Sequence, residues 1–221
     1  MRTALASLVL AAGLATAAQA QDQAAQPATP ATQAPPAATT PAPPAATATP
    51  PAAEAAPPAP TLPTTGTGAA VLQILERICV PAVRGQSPDQ TAKGMGFKQN
   101  KRDGTWTTSL GTGDKNHVII VLPQYSQKDV CRAEVRYPIG QDAPIVSALN
   151  VWSFLHQPEL ILQANYVNTD PDGLKRVRKS WEHLEANAST AVNFTVERKA
   201  DDTPVHKAYD RGILYYQERK F

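Results

Sequence analysis

Two residues carry the most specific chemistry in this sequence. Cys79 and Cys131 are its only cysteines, and joining them closes a loop of 52 residues. In an oxidising compartment such a pair defaults to a disulfide. A redox pair would favour a C-x-x-C spacing, and a catalytic thiol would favour a histidine base. Neither is present, because no histidine lies near either cysteine in the chain. A structural bridge is therefore expected, worth about 4 kcal/mol in the chain-entropy model.

Other groups are weaker candidates. His117, His156, His183 and His206 are scattered and lack any H-x-x-x-H or H-E-x-x-H spacing, so neither a metal site nor a cofactor is expected. Gly111-Thr112-Gly113-Asp114 resembles a phosphate loop only superficially. It lacks the Gly-Lys-Ser/Thr ending and precedes a strand pattern, which makes it a turn. No G-x-S-x-G element occurs. The alternative of an envelope hydrolase would rest on acids such as Glu134 or Asp114, without a motif to join them.

The run Lys175-Arg176-Val177-Arg178-Lys179 is the candidate binding element. On a strand, Arg176 and Arg178 share one face, with Lys175, Val177 and Lys179 opposite. Arg176, Arg178 and Lys179 are the residues named for an anionic partner: a phospholipid head group, a cell-wall polymer or an acidic protein. The competing reading is a solvated strand balanced by the glutamates that follow. Trp106, Trp152, Trp181, Tyr215 and Tyr216 fall on apolar faces and read as core. They form a carbohydrate platform only if two stand exposed side by side.

The elements that must position these groups follow from periodicity. Val71, Ile74, Leu75, Ile78 and Cys79 recur at helical spacing, predicting a helix over 69–80 that Pro81 stops. Ser87-Pro88-Asp89-Gln90 predicts a capped short helix to about Lys93. Strands follow at 97–99 and 105–110 around an Asp-Gly turn, then at 117–122 and 130–137. Cys131, Ala133, Val135 and Tyr137 form the apolar face of the last of these. Asp142 is placed as the cap of a second long helix with Ile145, Leu149, Trp152 and Leu155 inward, ended by Gln157-Pro158. Strands are read at 160–168, 191–199 and 213–218. Residues 174–185 fit a helical stripe, but their cations lead and their anions trail, opposing a helix dipole. The segment is read as a strand. The fold class is α+β: one domain with an antiparallel sheet and two or three helices, arranged as two helix-plus-four-strand halves.

Composition sets the boundaries. Residues 1–20 have a positive start, an apolar run and Ala18-Gln19-Ala20, predicting a signal peptide cleaved between Ala20 and Gln21. The 43 residues from Gln21 to Pro63 comprise 16 Ala, 13 Pro and 7 Thr, with Leu62 the one large aliphatic side chain. Such a stretch has too little to bury to offset its ordering entropy, so 21–65 reads as a disordered linker and 66–221 as the domain. A net charge of +2 excludes a strongly basic nucleic-acid binder. No uninterrupted run of 18 apolar residues follows the leader, so no transmembrane helix is expected in the mature chain. An outer-membrane barrel ending at Phe221 is rejected: predicted strands of about six residues fall short of the 9–11 needed, and helices lie within the domain.

Val146-Ser147-Ala148-Leu149-Asn150-Val151-Trp152 and Ile213-Leu214-Tyr215-Tyr216-Gln217 resemble stretches of uncharacterised small exported proteins of alphaproteobacteria. The resemblance covers only the C-terminal domain and implies no activity, cofactor or catalytic residue. The expectation is a periplasmic or secreted protein that binds an envelope polymer or protein, not an enzyme. A structural envelope component is the third alternative.

Overall fold

A computed structural model describes residues 58–111 and 114–221. The leader, its cleavage point and the linker up to Pro57 lie outside the described residues, as do Thr112 and Gly113 of the Gly111–Asp114 turn.

Helix α1 spans Gly66–Val83. Val71, Leu72, Ile74, Leu75 and Ile78 are buried along one side, while Gln73, Glu76 and Arg77 face solvent. Pro81 does not stop it. Leu75–Cys79 is wound as a π-turn, so the Val80 N–H reaches back to the Leu75 carbonyl. That shift in hydrogen-bond spacing precedes the proline, which has no N–H to give, and the helix continues to Val83. By length and composition α1 could cross a membrane, with a mean hydropathy of 1.2, yet half of it is buried inside the domain. It is not an unbroken apolar run, because Thr67, Gln73, Glu76 and Arg77 interrupt the series. Leu62, the one large aliphatic of the Ala/Pro/Thr stretch, packs on the same core.

Helix α2 spans Pro88–Gly94, with proline in its first turn. Ser87 makes no side-chain cap bond; Asp89 instead accepts a 2.6 Å hydrogen bond from the Trp106 indole. Helix α3 spans Asp142–Leu155. Asp142 is its first helical residue, and Gln141 holds the cap position. Ile145, Leu149 and Trp152 are buried as predicted, but Leu155 is exposed. The chain turns into extended backbone at His156, and Leu160 enters the core.

Eight strands form one antiparallel sheet: β1 Lys98–Gln99, β2 Trp106–Ser109, β3 Val118–Val121, β4 Val130–Tyr137, β5 Ile161–Thr169, β6 Leu174–Leu184, β7 Ala188–Lys199 and β8 Asp210–Lys220. Their order is β1-β2-β3-β4-β8-β7-β6-β5. The first half is two helices, α1 and α2, followed by a four-strand meander, and the second is α3 followed by another; the halves join where β4 pairs antiparallel with β8, Val130 opposite Gln217 and Tyr137 opposite Asp210. Residues 174–184 are indeed a strand. The second-half strands run 9 to 12 residues; β7 and β8 extend beyond the predicted 191–199 and 213–218. Strand length alone is therefore no argument against a barrel, but the sheet is open, with β1 and β5 at its two ends.

The helices cover one face. Cys131, Ala133, Val135 and Tyr137 of β4 share that face with Val192, Phe194 and Val196 of β7 and with Leu214 and Tyr216 of β8, and all belong to one hydrophobic core. Cys79 in the π-turn is disulfide-bonded to Cys131, with Cα atoms 5.1 Å apart. The bond pins α1 to the centre of the sheet. Trp152 donates to Glu76 at 3.1 Å, and Trp181 donates to Asn150 at 3.1 Å. The first ties α3 to α1 and the second ties it to β6.

Candidate binding face

Side chains alternate across a strand, so the residues between the core positions emerge on the opposite face. No helix or second sheet covers that face among the described residues. It presents Arg132, Glu134 and Arg136 from β4, Arg176 and Arg178 from β6, and Asn193, Thr195 and Glu197 from β7. Arg211, Ile213, Tyr215 and Gln217 come from β8. The register places Arg178 opposite Thr195, and Asn193 opposite Tyr215.

Ion pairs knit one end of this face. Arg176 donates through Nε to Glu197 at 3.0 Å, and through its two other nitrogens to Asp170 and Asp172, each at 2.7 Å. Arg178 donates to Asp170 at 2.6 Å. Glu197 also pairs with Arg211. The turn Asp170-Pro171-Asp172-Gly173 thus folds its two carboxylates back over the strand it starts. The Asp172 carboxylate accepts the Leu174 N–H as well. Arg176 and that N–H hold its pKa down at about 2. The Arg178 guanidinium likewise lowers Asp170, and Asp172 is the largest influence raising Arg176.

The acids that balance the basic run are therefore those of the preceding turn, Glu197 of β7, and Asp202 beyond it, which pairs with Lys175 at 2.7 Å, not Glu182 and Glu185. Glu182 accepts from Ser189, and Glu185 lies beside His183 at 3.4 Å. Lys179 does not join the arginines. It projects on the helix-covered side of β6, opposite Phe194, and its ammonium donates to the Asn165 side-chain oxygen at 2.7 Å.

Beside this lattice lies an open groove of about 400 Å³, lined by Arg176, Arg178, Asn193, Tyr215, Gln217 and Arg219 among others. A neighbouring hollow of about 260 Å³ shares Gln127 and Val130 with it and is lined by Arg132. Arg132 has no acidic partner among the described residues, and its guanidinium sits 5.3 Å from the Tyr215 ring centre. Arg178 stands 6.0 Å from the Tyr166 ring centre. These are cation–π distances. Sequence reasoning missed Arg132, Tyr215 and Asn193 as a group because they lie on three different strands. The outward alternation of β4 was the only signal available.

The remaining candidates are dispersed. Trp106, Trp152, Trp181 and Tyr216 are buried, while Tyr215, also read as core, alternates onto the uncovered face instead, so no two of the five stand exposed side by side. Burial raises the Tyr216 pKa, as does its hydrogen bond to Glu218. Burial also pulls Glu218 up, but hydrogen bonds from Arg84 and Tyr216 leave its pKa lowered overall. Glu134 is paired with Arg136 at 2.6 Å, and Asp114 with His117 at 3.1 Å. The other His117 ring nitrogen contacts the Ala208 carbonyl at 3.3 Å. Among the described residues no three His, Cys, Asp or Glu side chains are grouped to hold a metal. Compared with family models, curated proteins and solved structures, the chain matches none.

Proposed function

We propose that this chain is an exported, non-enzymatic binding module of the cell envelope, and that the uncovered sheet face is its ligand surface. The observation that carries the reading is the groove beside Tyr215. It combines arginines, amide side chains and an aromatic ring on a face with no covering layer. Paired amides and guanidinium groups satisfy hydroxyls, amides and carboxylates, while a tyrosine ring offers an apolar surface. That mixture suits an acidic, hydroxyl-rich envelope polymer. The lattice around Arg176 holds the face in one shape, and Arg132 contributes the charge that is not already answered. The leader sequence and the Ala/Pro/Thr segment support delivery outside the cytoplasm and a spacer role, and the disulfide is compatible with an oxidising compartment.

Co-sedimentation of the purified protein with isolated cell-wall sacculi tests the proposal. Binding should occur, weaken with salt and fall in Arg132→Glu. A protein that stays in the supernatant at low ionic strength, or a variant that binds as well as wild type, would refute it.

A further inference from the structure

The charges around the groove are almost all answered from within the chain. Arg132, Arg176, Arg178 and Arg219 line the groove and the hollow beside it. Arg176 is held by Asp170, Asp172 and Glu197, and Arg178 by Asp170. Arg219 pairs with Asp129 at 3.2 Å. No lysine among the described residues lines either depression. Arg132 is the exception, with a tyrosine ring beneath its guanidinium and no carboxylate beside it among the described residues. A guanidinium held over a ring keeps its planar fork of N–H donors free for a ligand.

Residues 123–127 form a loop wall of the hollow. Gln124 braces that loop by donating to the Lys128 and Val130 carbonyls, each at 3.2 Å. Tyr125 follows with a backbone φ of +37°. Left-handed backbone is costly for a bulky residue. Packing offers no compensation, because Tyr125 is 79% exposed and its hydroxyl reaches only the Asp103 carbonyl, at 3.3 Å. The fold thus holds an aromatic ring at the rim of the hollow without using it in the core. Ser126 and Gln127 beside it add a hydroxyl and an amide to the same wall.

We propose that this hollow is the acid-recognising subsite of the groove: Arg132 takes one carboxylate in a bidentate bond, and the Tyr125 ring stacks on the sugar unit that carries it. The inference rests on the uncovered face being the ligand surface, and it narrows the ligand to a saccharide chain with one carboxylated unit among neutral ones. The fork of Arg132 matches the two oxygens of a carboxylate. Charge on every unit would set further anions beside Asp170, Glu197 and Asp129, whose arginines are already neutralised. Neutral hydroxyl-bearing units suit the groove, where Asn193, Thr195 and Gln217 offer amides and a hydroxyl.

Co-sedimentation of the full chain with native sacculi, and with sacculi whose carboxyl groups have been amidated by carbodiimide and ethylamine, tests this. Amidation should abolish binding. Affinity for native sacculi should fall about tenfold for a tenfold rise in salt, as for one ion pair, where a dense polyanion gives a far steeper fall. Tyr125→Gly relieves the backbone and removes the ring; it should melt like wild type and bind about tenfold more weakly. Tyr125→Asn, which also tolerates left-handed backbone, should do the same, and serves if the glycine variant does not fold. Tyr125→Phe keeps the ring and should bind like wild type. Binding that survives amidation, the steep salt dependence of a polyanion, or full affinity in a folded variant lacking the ring would overturn the proposal and leave the wider reading of the face standing. A wild-type chain that ignores native sacculi would overturn both.

Discussion

The ring of Phe194 on β7 lies across Gly212 on β8, where a built Cβ would come within 2.7 Å of ring atom Cε2 and closer still to Cζ. Phe194 is 1% exposed, so the ring has no open space into which it can swing. Glycine is required here for room, since its backbone is not in the left-handed region. Gly212→Ala should cost roughly 1–3 kcal/mol through overpacking. Chemical denaturation measures the loss; an unshifted midpoint would show that the ring relocates freely.

Gly68 plays the corresponding part between helices. A Cβ there would meet the Pro144 carbonyl oxygen at 2.6 Å and Ala148 Cβ at 2.9 Å. The nearest atom is backbone and cannot rotate away. Gly68→Ala should push α1 from α3 and destabilise by about 1–3 kcal/mol, even though alanine is the better helix former. A variant as stable as wild type, or more so, would mean that α1 slides without penalty.

The double variant Cys79→Ala/Cys131→Ala should fold but lose about 4 kcal/mol. The apolar side of α1 still packs on the sheet, which is why the fold persists. Both sulfur-bearing residues are buried, at 0% and 1% exposure. Reduction under native conditions should therefore be slow and should accelerate with mild denaturant. Intact-mass measurement after alkylation follows it, and rapid reduction of the native protein would place the bond in a region that opens readily.

Acid should dissolve the Arg176 lattice late. The pKa of Asp172 is held at about 2, and that of Asp170 is also lowered. A depressed carboxylate contributes stability that is complete above its unfolded pKa of about 3.9 and is lost as pH falls through the folded value. The contribution should fade between about pH 4 and pH 2. Stability measured at both pH values should show a smaller difference in Asp172→Asn than in wild type. Equal differences would mean that Asp172 does not carry the effect.

At the uncovered face, Arg132→Glu should weaken cell-wall binding while leaving the thermal midpoint nearly unchanged, because an exposed side chain without an ion pair contributes little to folding. Arg176→Ala should lower stability as well as binding, since it leaves Glu197, itself 7% exposed, with fewer partners. Thermal melts and co-sedimentation on the same samples separate the two. Loss of folding in Arg132→Glu would reassign that residue from binding to structure.

Much of the fold is legible in order along the chain. The clean alternation of 130–137 predicts β4 to the residue, because one face meets apolar core and the other meets water. The reversed charge order of 174–185 correctly excludes a helix, since a dipole penalty is local. Pro81 misleads for the opposite reason. A missing N–H matters only at its hydrogen-bonding register, and the π-turn ahead of it shifts that register. Leu155 misleads because helical spacing does not reveal that the chain turns at His156 and supplies Leu160 in its place.

By itself the sequence determined which residues are apolar, at what period, and that two cysteines were available to each other. Those are properties of neighbours along the chain. Tertiary structure alone decided that β4 and β8 join the halves, that the carboxylates of the 170–173 turn and Glu197 answer Arg176, and that Arg132 approaches Tyr215 on an uncovered face. Each of these depends on strand pairing between segments far apart in the chain, and period-two alternation specifies a face without specifying the partner that lies across it.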